Sequence, residues 1–261
     1  MSILRIYALV LRHFYNLRRS FDRMSDVFYW PVLDIIIWGL TGIYFVSFSP
    51  DSYTHIVAII GAVLLWIIPW RAQNEISINV LVELWDRNLA NIFVSPFKLS
   101  EWMVSLVIVG IIKGLISLGF ASLVAFLLYK VNIFIYGFYL IPMIALLFMF
   151  GWAIGFTVGA VILRFGSRIQ TLGWTVPWAA APFSAIYFPV SILPHWAQQI
   201  AYALPSSYIY EGTRQIVFHQ TFNWNYFWIA LVLDLFYLTL SLLLFRKSFK
   251  NALNRGLQGI N

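Results

Sequence analysis

The sequence predicts an all-α membrane protein with six transmembrane helices, and three observations carry that prediction. Apolar residues make up 61% of the chain and charged residues only 10%, where soluble domains carry about a quarter charged residues; mean hydropathy is +0.82. The apolar residues fall in runs near the ~20 residues that a helix needs to cross hydrocarbon at ~1.5 Å per residue. Lys and Arg gather in alternate connections between those runs, as they do in polytopic membrane proteins. Added to the spans are an amphipathic N-terminal helix over residues 1–26, a polar helical passage between spans two and three, and a broken re-entrant hairpin between spans five and six. Residues 27–261 read as a single six-span domain without an internal repeat.

Residues 2–26 place Leu4, Tyr7, Leu11 and Phe14 on one helical stripe and Arg5, Arg12, Asn16, Arg19 and Arg23 on the other face. Such a helix lies in the headgroup plane with its arginines toward anionic lipid. It serves as an anchor alone or also braces a soluble partner. The first span, 28–48, opens on Tyr29-Trp30-Pro31 and contains Trp38, Gly39 and Gly42; Phe48-Ser49-Pro50-Asp51-Ser52 is the expected turn. The second starts near His55, stays apolar to Trp70 and reaches the membrane surface near Asn74. A helical pattern that persists to Trp85 therefore projects into water. The passage from Arg71 to Ser105, with charges at Arg71, Glu75, Glu83, Asp86, Arg87, Lys98 and Glu101, reads as a docking element facing the cytoplasm.

The third span covers 102–129 and turns at Lys130-Val131-Asn132. The fourth, about 134–163, carries Gly151, Gly155 and Gly159, a small-xxx-small pattern that permits close helix approach. After the polar break Arg164-Phe165-Gly166-Ser167-Arg168, the fifth span is expected over 169–188, interrupted by Pro177 and Pro182. From Pro189 to Phe222 the chain stays apolar, yet Pro194 and Pro205 divide it into pieces too short to cross. Two short helices that dip into the outer leaflet and return satisfy their own backbone groups, provided protein shields the bends. The sixth span, about 223–245, leads to a basic tail of Arg246, Lys247, Lys250 and Arg255.

Orientation follows from the basic residues. With Arg71 and Lys113 set aside as embedded, one side holds Arg5, Arg12, Arg18, Arg19, Arg23, Arg87, Lys98, Arg164, Arg168, Arg246, Lys247, Lys250 and Arg255, and the other only Lys130 and Arg214. The positive-inside rule puts both termini and the Arg71–Ser105 element in the cytoplasm. The net charge of +7 is thereby explained without nucleic acid, and Arg5, Arg12, Arg18 and Arg19 interrupt the first apolar run in a way that fits no cleavable signal peptide. With no cysteine, disulfides and thiol chemistry are excluded. Gly-x-x-x-x-Gly-Lys-Ser/Thr, His-Glu-x-x-His and Gly-x-Ser-x-Gly are all absent. The four histidines, His13, His55, His195 and His219, read as scattered interfacial side chains rather than metal ligands.

Charges embedded in hydrocarbon must be paired or hydrated. Asp34, Lys113 and Asp234 are the candidates. Lys113 paired with one of the aspartates is the plain reading; a proton relay in an ion-coupled carrier is the sharper one, although carriers usually show two related halves. Arg71 and Glu75, one turn apart, are placed to pair with each other or to gate entry. A membrane enzyme acting on lipid-linked substrates is a third class, and no nucleophile and base stand at suitable spacing for it.

Taken together, Glu75, Val82-Glu83-Leu84 and Phe93-Val94-Ser95-Pro96-Phe97-Lys98 resemble one signature of the membrane subunit of the type-2 ATP-binding-cassette (ABC) exporter family. Phe188-Pro189-Val190-Ser191-Ile192-Leu193-Pro194-His195-Trp196, Leu204-Pro205, Tyr210-Glu211-Gly212 and Arg214 are similar to its second. The resemblance covers essentially the whole chain and departs at Asn79-Val80, where members often carry Gly-Thr. It implies a permease of the inner membrane that binds no cofactor itself, with ATP and Mg on a separate ABC ATPase subunit, and a homodimer of permeases in the bilayer. It implies a coupling helix at about 83–95, with Glu75, Glu83, Asp86, Arg87, Ser95 and Pro96 at the ATPase contact and Arg164 and Arg168 at a second. Pro189, Pro194, Trp196, Pro205, Glu211 and Arg214 fall in the re-entrant hairpin, about 189–222. Trp38, Tyr44, Trp66, Trp70, Trp152, Trp174, Trp178 and Tyr187 are offered as stacking surfaces along a pathway for lipid, polysaccharide or drug, against the simpler reading of packing and interfacial belts.

Overall fold

A computed structural model describes residues 1–46 and 52–254. Its α-helices are α1 (Ile3–Arg19), α2 (Phe21–Val46), α3 (Ser52–Trp85), α4 (Leu89–Val94), α5 (Leu99–Tyr129), α6 (Leu140–Phe165), α7 (Leu172–Ala180), α8 (His195–Ala203), α9 (Pro205–His219) and α10 (Trp224–Asn254). Among the described residues there is no strand. Among those residues, five segments are long and apolar enough to cross a membrane: Arg23–Tyr44, Tyr53–Trp85, Leu99–Tyr129, Ile133–Phe165 and Trp224–Asn254. The turn expected at Phe48–Asp51 and the tail residue Arg255 lie outside the described residues.

The long helix α3 forms the axis of the bundle. Ile60, Leu64, Ile68, Ala72, Ile76 and Val80 recur along it at helical spacing and are buried by α2, α5 and α6. Glycine makes the α3–α6 contact possible. A Cβ on Gly151 would stand 2.6 Å from the Pro69 carbonyl oxygen and 2.6 Å from the Ala72 Cβ; one on Gly155 would stand 2.9 Å from the Gln73 carbonyl oxygen. The Gly151/Gly155 stripe thus acts as close packing. At Gly159 the neighbours are Phe245 of α10 and Val80 of α3.

The fourth span begins differently from its expected helix. Residues Ile133–Tyr139 form a 3-10 segment broken at Gly137 (φ 54°, ψ −139°), and α6 starts only at Leu140. The positive φ is open to glycine at no steric cost.

The stretch expected as the fifth span holds nine α-helical residues, α7, followed by a 3-10 turn over Ala181–Phe183 and irregular chain to Pro189. Pro177 and Pro182 remove two amide donors, and the α-helix stops at Ala180, two residues before Pro182. The next helix supplies what the broken backbone lacks. Arg214 of α9 donates to the carbonyls of Ala185 and Ile186, Ser207 Oγ donates to the Phe183 carbonyl at 2.8 Å, and the Val190 amide donates to Glu211 Oε1 at 2.7 Å. Ser206 and Ser184 hydroxyls meet at 2.9 Å. Side chains of α9 thus supply partners to backbone groups that no helix ladder satisfies. Pro194 and Pro205 sit at the N-cap of α8 and the first turn of α9, where a missing N–H costs nothing.

Candidate functional site

One end of the bundle concentrates the polar residues singled out in the sequence. There α3 ends, α4 crosses, α5 begins and α6 and α10 terminate around a second hydrophobic cluster of Leu84, Leu89, Trp102, Leu163, Phe245 and Phe249. The turn from α3 into α4 is a Schellman cap. The Asn88 amide donates to the Glu83 carbonyl (3.0 Å), the Arg87 amide donates to the Leu84 carbonyl (3.1 Å), and Arg87 takes φ 51° where glycine is usual. Glu83 is 2% exposed. Its carboxylate accepts from Asn88 Nδ2 at 2.8 Å and from Arg12 of α1 at 2.7 Å.

The helix α4 is seated by Leu89 and Ile92, both buried, and by Phe93, whose ring lies 4.6 Å from Phe249 and 5.8 Å from Trp102. Each such side chain contributes about 1.5–3 kcal/mol of burial. Its other side points away from the bundle: Asn91 and Val94 are exposed, Val94 at 88%, beside exposed Trp85, Asp86 and Arg87. Ser95 Oγ returns to the Ile92 carbonyl, and the exposed Pro96 offers its carbonyl to Arg5. At the start of α5, Glu101 is fully buried; it accepts the Lys98 amide at 3.0 Å, the Ser2 amide at 2.7 Å and Arg5 at 3.3 Å. Arg164 and Arg168 are exposed at the same end, on either side of the Gly166 cap (φ 78°), and Ser167–Ile169 packs against α3.

The N-terminal helix is turned over relative to expectation. Arg5 and Arg12 face the carboxylates of Glu101 and Glu83 instead of lipid, while Leu4 and Tyr7 are exposed. Two buried carboxylates draw the guanidinium groups inward, because a buried charge needs a partner. His13, expected at the interface, is 3% exposed. Burial lowers its pKa from 6.5 to about 4, against the attraction of Glu75 and together with the repulsion of Arg12, Lys113 and Arg23.

The embedded charges pair differently from the sequence reading. Lys113 Nζ meets Glu75 Oε1 at 2.5 Å, not an aspartate, and Arg71 binds the side chain and carbonyl of Asp26, not Glu75. The reason is helix proximity. α5 packs along α3, with the backbone of Gly110 facing Glu75 and Ala72, so Lys113 reaches Glu75 across that seam. Asn79 donates to the second Glu75 oxygen at 3.0 Å. Asp34 stands two turns further along α2 from Asp26 and is half-buried. Asp234 is fully buried on α10, and neither carboxylate oxygen has a partner among the described residues.

Glu75 and Glu83 therefore hold helices together, while Asp86, Arg87, Pro96, Arg164 and Arg168 form the accessible polar surface. Sequence reasoning gave no role to Asp26, named Glu101 only as one charge of the docking passage and Asn79 only as a departure from the family pattern; the signal for the Glu101 cap is its place three residues after Lys98 at a helix start. The aromatic set divides in the same way. Trp66 is core, Trp152 stacks on Phe148 (5.7 Å), and Trp38 stacks on Tyr187 (4.1 Å, 17°). Tyr44, Trp174 and Trp178 are exposed, with Trp178 edge-on to Trp70 at 5.6 Å.

Residues 6–218 match a family model described as ABC-2 type transporter. No curated protein matches the chain.

Proposed function

The chain belongs to the ABC-2 type transporter family, and from that premise we propose that it is the permease of an ATP-driven exporter, working with a separate ABC ATPase that holds ATP and Mg. It is an integral membrane protein, a membrane permease of ABC transporters. In the proposed arrangement both termini and α4 are cytoplasmic in the inner membrane. The segment 167–188 with α8 and α9 completes a sixth crossing and a re-entrant hairpin, and two copies of the chain flank the pathway. Cargo is an amphipathic lipid, polysaccharide, drug or similar molecule, for which exposed Trp174 and Trp178 offer stacking surface.

The observation that carries this reading is α4 itself: a short helix anchored on one side by Leu89, Ile92 and Phe93 and bare on the other at Asp86, Arg87, Asn91 and Val94. A knob of that kind suits a cleft in a motor subunit. Displacement of α4 would pass into α3 through the Glu83 cap and into α5 through the Glu101 cap, with α1 moving as a brace through Arg12 and Arg5. Because α3 is a continuous helix of 34 residues, about 50 Å long, movement at its α4 end reaches the far side of a ~30 Å hydrocarbon core.

The chain has no cysteine, so Val94→Cys introduces a single thiol. In inside-out vesicles an impermeant maleimide should label V94C, and an added ABC ATPase from the same source should protect it. Labelling only from the opposite side would end the proposal. An ion-coupled carrier is the second reading, favoured by the unpartnered Asp234; it requires D234N to abolish transport without any ATPase present, whereas the permease reading expects D234N to retain ATP-driven transport.

A further inference from the structure

A cavity of about 490 Å³ lies between α5 and the chain that enters α6, lined by Leu115, Leu118, Gly119, Leu123 and Phe126 on one side and by Val131–Phe134 and Leu140 on the other. We infer that it is a binding groove for one acyl chain of an anionic phospholipid drawn from the surrounding leaflet, held as a resident lipid and not as cargo. The size and lining are those of a small-molecule site: apolar walls with few polar groups.

The length fits a single leaflet. From Leu115 to Phe126 the groove runs eleven residues along α5, about 16 Å at ~1.5 Å per residue, or half of a ~30 Å hydrocarbon core. Leu115, Leu123, Phe126 and Phe134 at its rim are exposed, so the groove opens sideways into lipid. A Cβ on Gly119 would meet nothing within 4 Å, which marks the space as real and leaves room there for a methylene chain.

Polar groups are placed for a headgroup at one end only. Lys130 caps α5 in the left-handed conformation (φ 59°) and sets its Nζ 5.6 Å from the ring of Phe126, a groove residue. Asn132, also lining the groove, accepts the Phe134 amide through Oδ1 at 2.9 Å, and its Nδ2 donates to no acceptor among the described residues. An ammonium and an amide at the membrane surface suit a phosphate oxygen with net negative charge.

The test uses the full chain in nanodiscs of phosphatidylcholine doped with phosphatidylglycerol, followed by native mass spectrometry after transfer to mild detergent. Wild type should retain one phosphatidylglycerol per chain. Gly119→Leu should fill the groove and lower retention at least tenfold while leaving helicity unchanged, and Lys130→Gln should remove the preference for phosphatidylglycerol over phosphatidylcholine. Equal retention by wild type and G119L would overturn the inference, as would a loss of oligomer in G119L, which would identify a second copy of the chain as the occupant.

Discussion

The buried Lys113–Glu75 pair gives the most direct test of how the charged seam between α3 and α5 is held. Both residues are 6% exposed, and their charged atoms stand 2.5 Å apart. Lys113→Met keeps the volume and removes the cation, leaving the Glu75 carboxylate with only the Asn79 amide as partner. Removing one member of a buried pair costs about 3–5 kcal/mol, whereas replacing both by apolar groups is close to neutral. K113M and E75M should therefore each be destabilised by several kcal/mol, and E75M/K113M should return to within about 1 kcal/mol of wild type. Tryptophan fluorescence during unfolding of the purified chain from mild detergent into SDS measures all four corners of the cycle. A coupling energy below about 0.5 kcal/mol, the range of exposed surface pairs, would refute the pairing.

Three further outcomes follow from the same geometry. Arg87→Gly should stabilise the α3–α4 cap by about 0.5–1 kcal/mol, because glycine takes φ 51° without the left-handed penalty that Arg87 bears; R87A, which keeps that penalty, should give no gain in the same unfolding assay. Gly151→Ala should separate α3 from α6 at a cost of about 1–3 kcal/mol, since its Cβ has 2.6 Å to the Pro69 carbonyl, while G119A, with nothing within 4 Å, should be neutral or better. His13, with its pKa lowered from 6.5 to about 4, binds more protons unfolded than folded between those values. Its contribution is therefore complete above pH 6.5, falls as the pH drops toward 4, and reaches a loss of at most about 3 kcal/mol below that. The difference in unfolding midpoint between wild type and H13Q should show that slope in that window and no other.

Much of the architecture is written in local properties of the chain. Span length, positive-inside bias and the 3.6-residue pattern depend on composition and spacing alone, so α2, α3, α5, α6 and α10 were legible, as was the polar passage that became the end of α3, α4 and the start of α5. The Gly151/Gly155 seam was legible too, because a missing Cβ has one common use in a membrane helix. Local chemistry also marked Pro177 and Pro182 as interruptions of the fifth span and Pro194 and Pro205 as breaks between short pieces; Pro194 and Pro205 stand at helix starts, whereas Pro177 lies inside α7.

Only the tertiary structure decided which charge meets which. Arg71 turned from Glu75 to Asp26, and Lys113 turned from the aspartates to Glu75, because partners in a low-dielectric interior are set by which helices pack side by side, and that distance is absent from a one-dimensional pattern. The same holds for α1, whose arginine stripe has one amphipathic reading on paper and another once Glu83 and Glu101 are buried opposite it. The sequence by itself determined that this chain lives in a membrane and that a polar passage divides its apolar runs; the packed bundle determined that the buried carboxylates of Glu75, Glu83 and Glu101 are clamps between helices and that the surface of α4 is left bare.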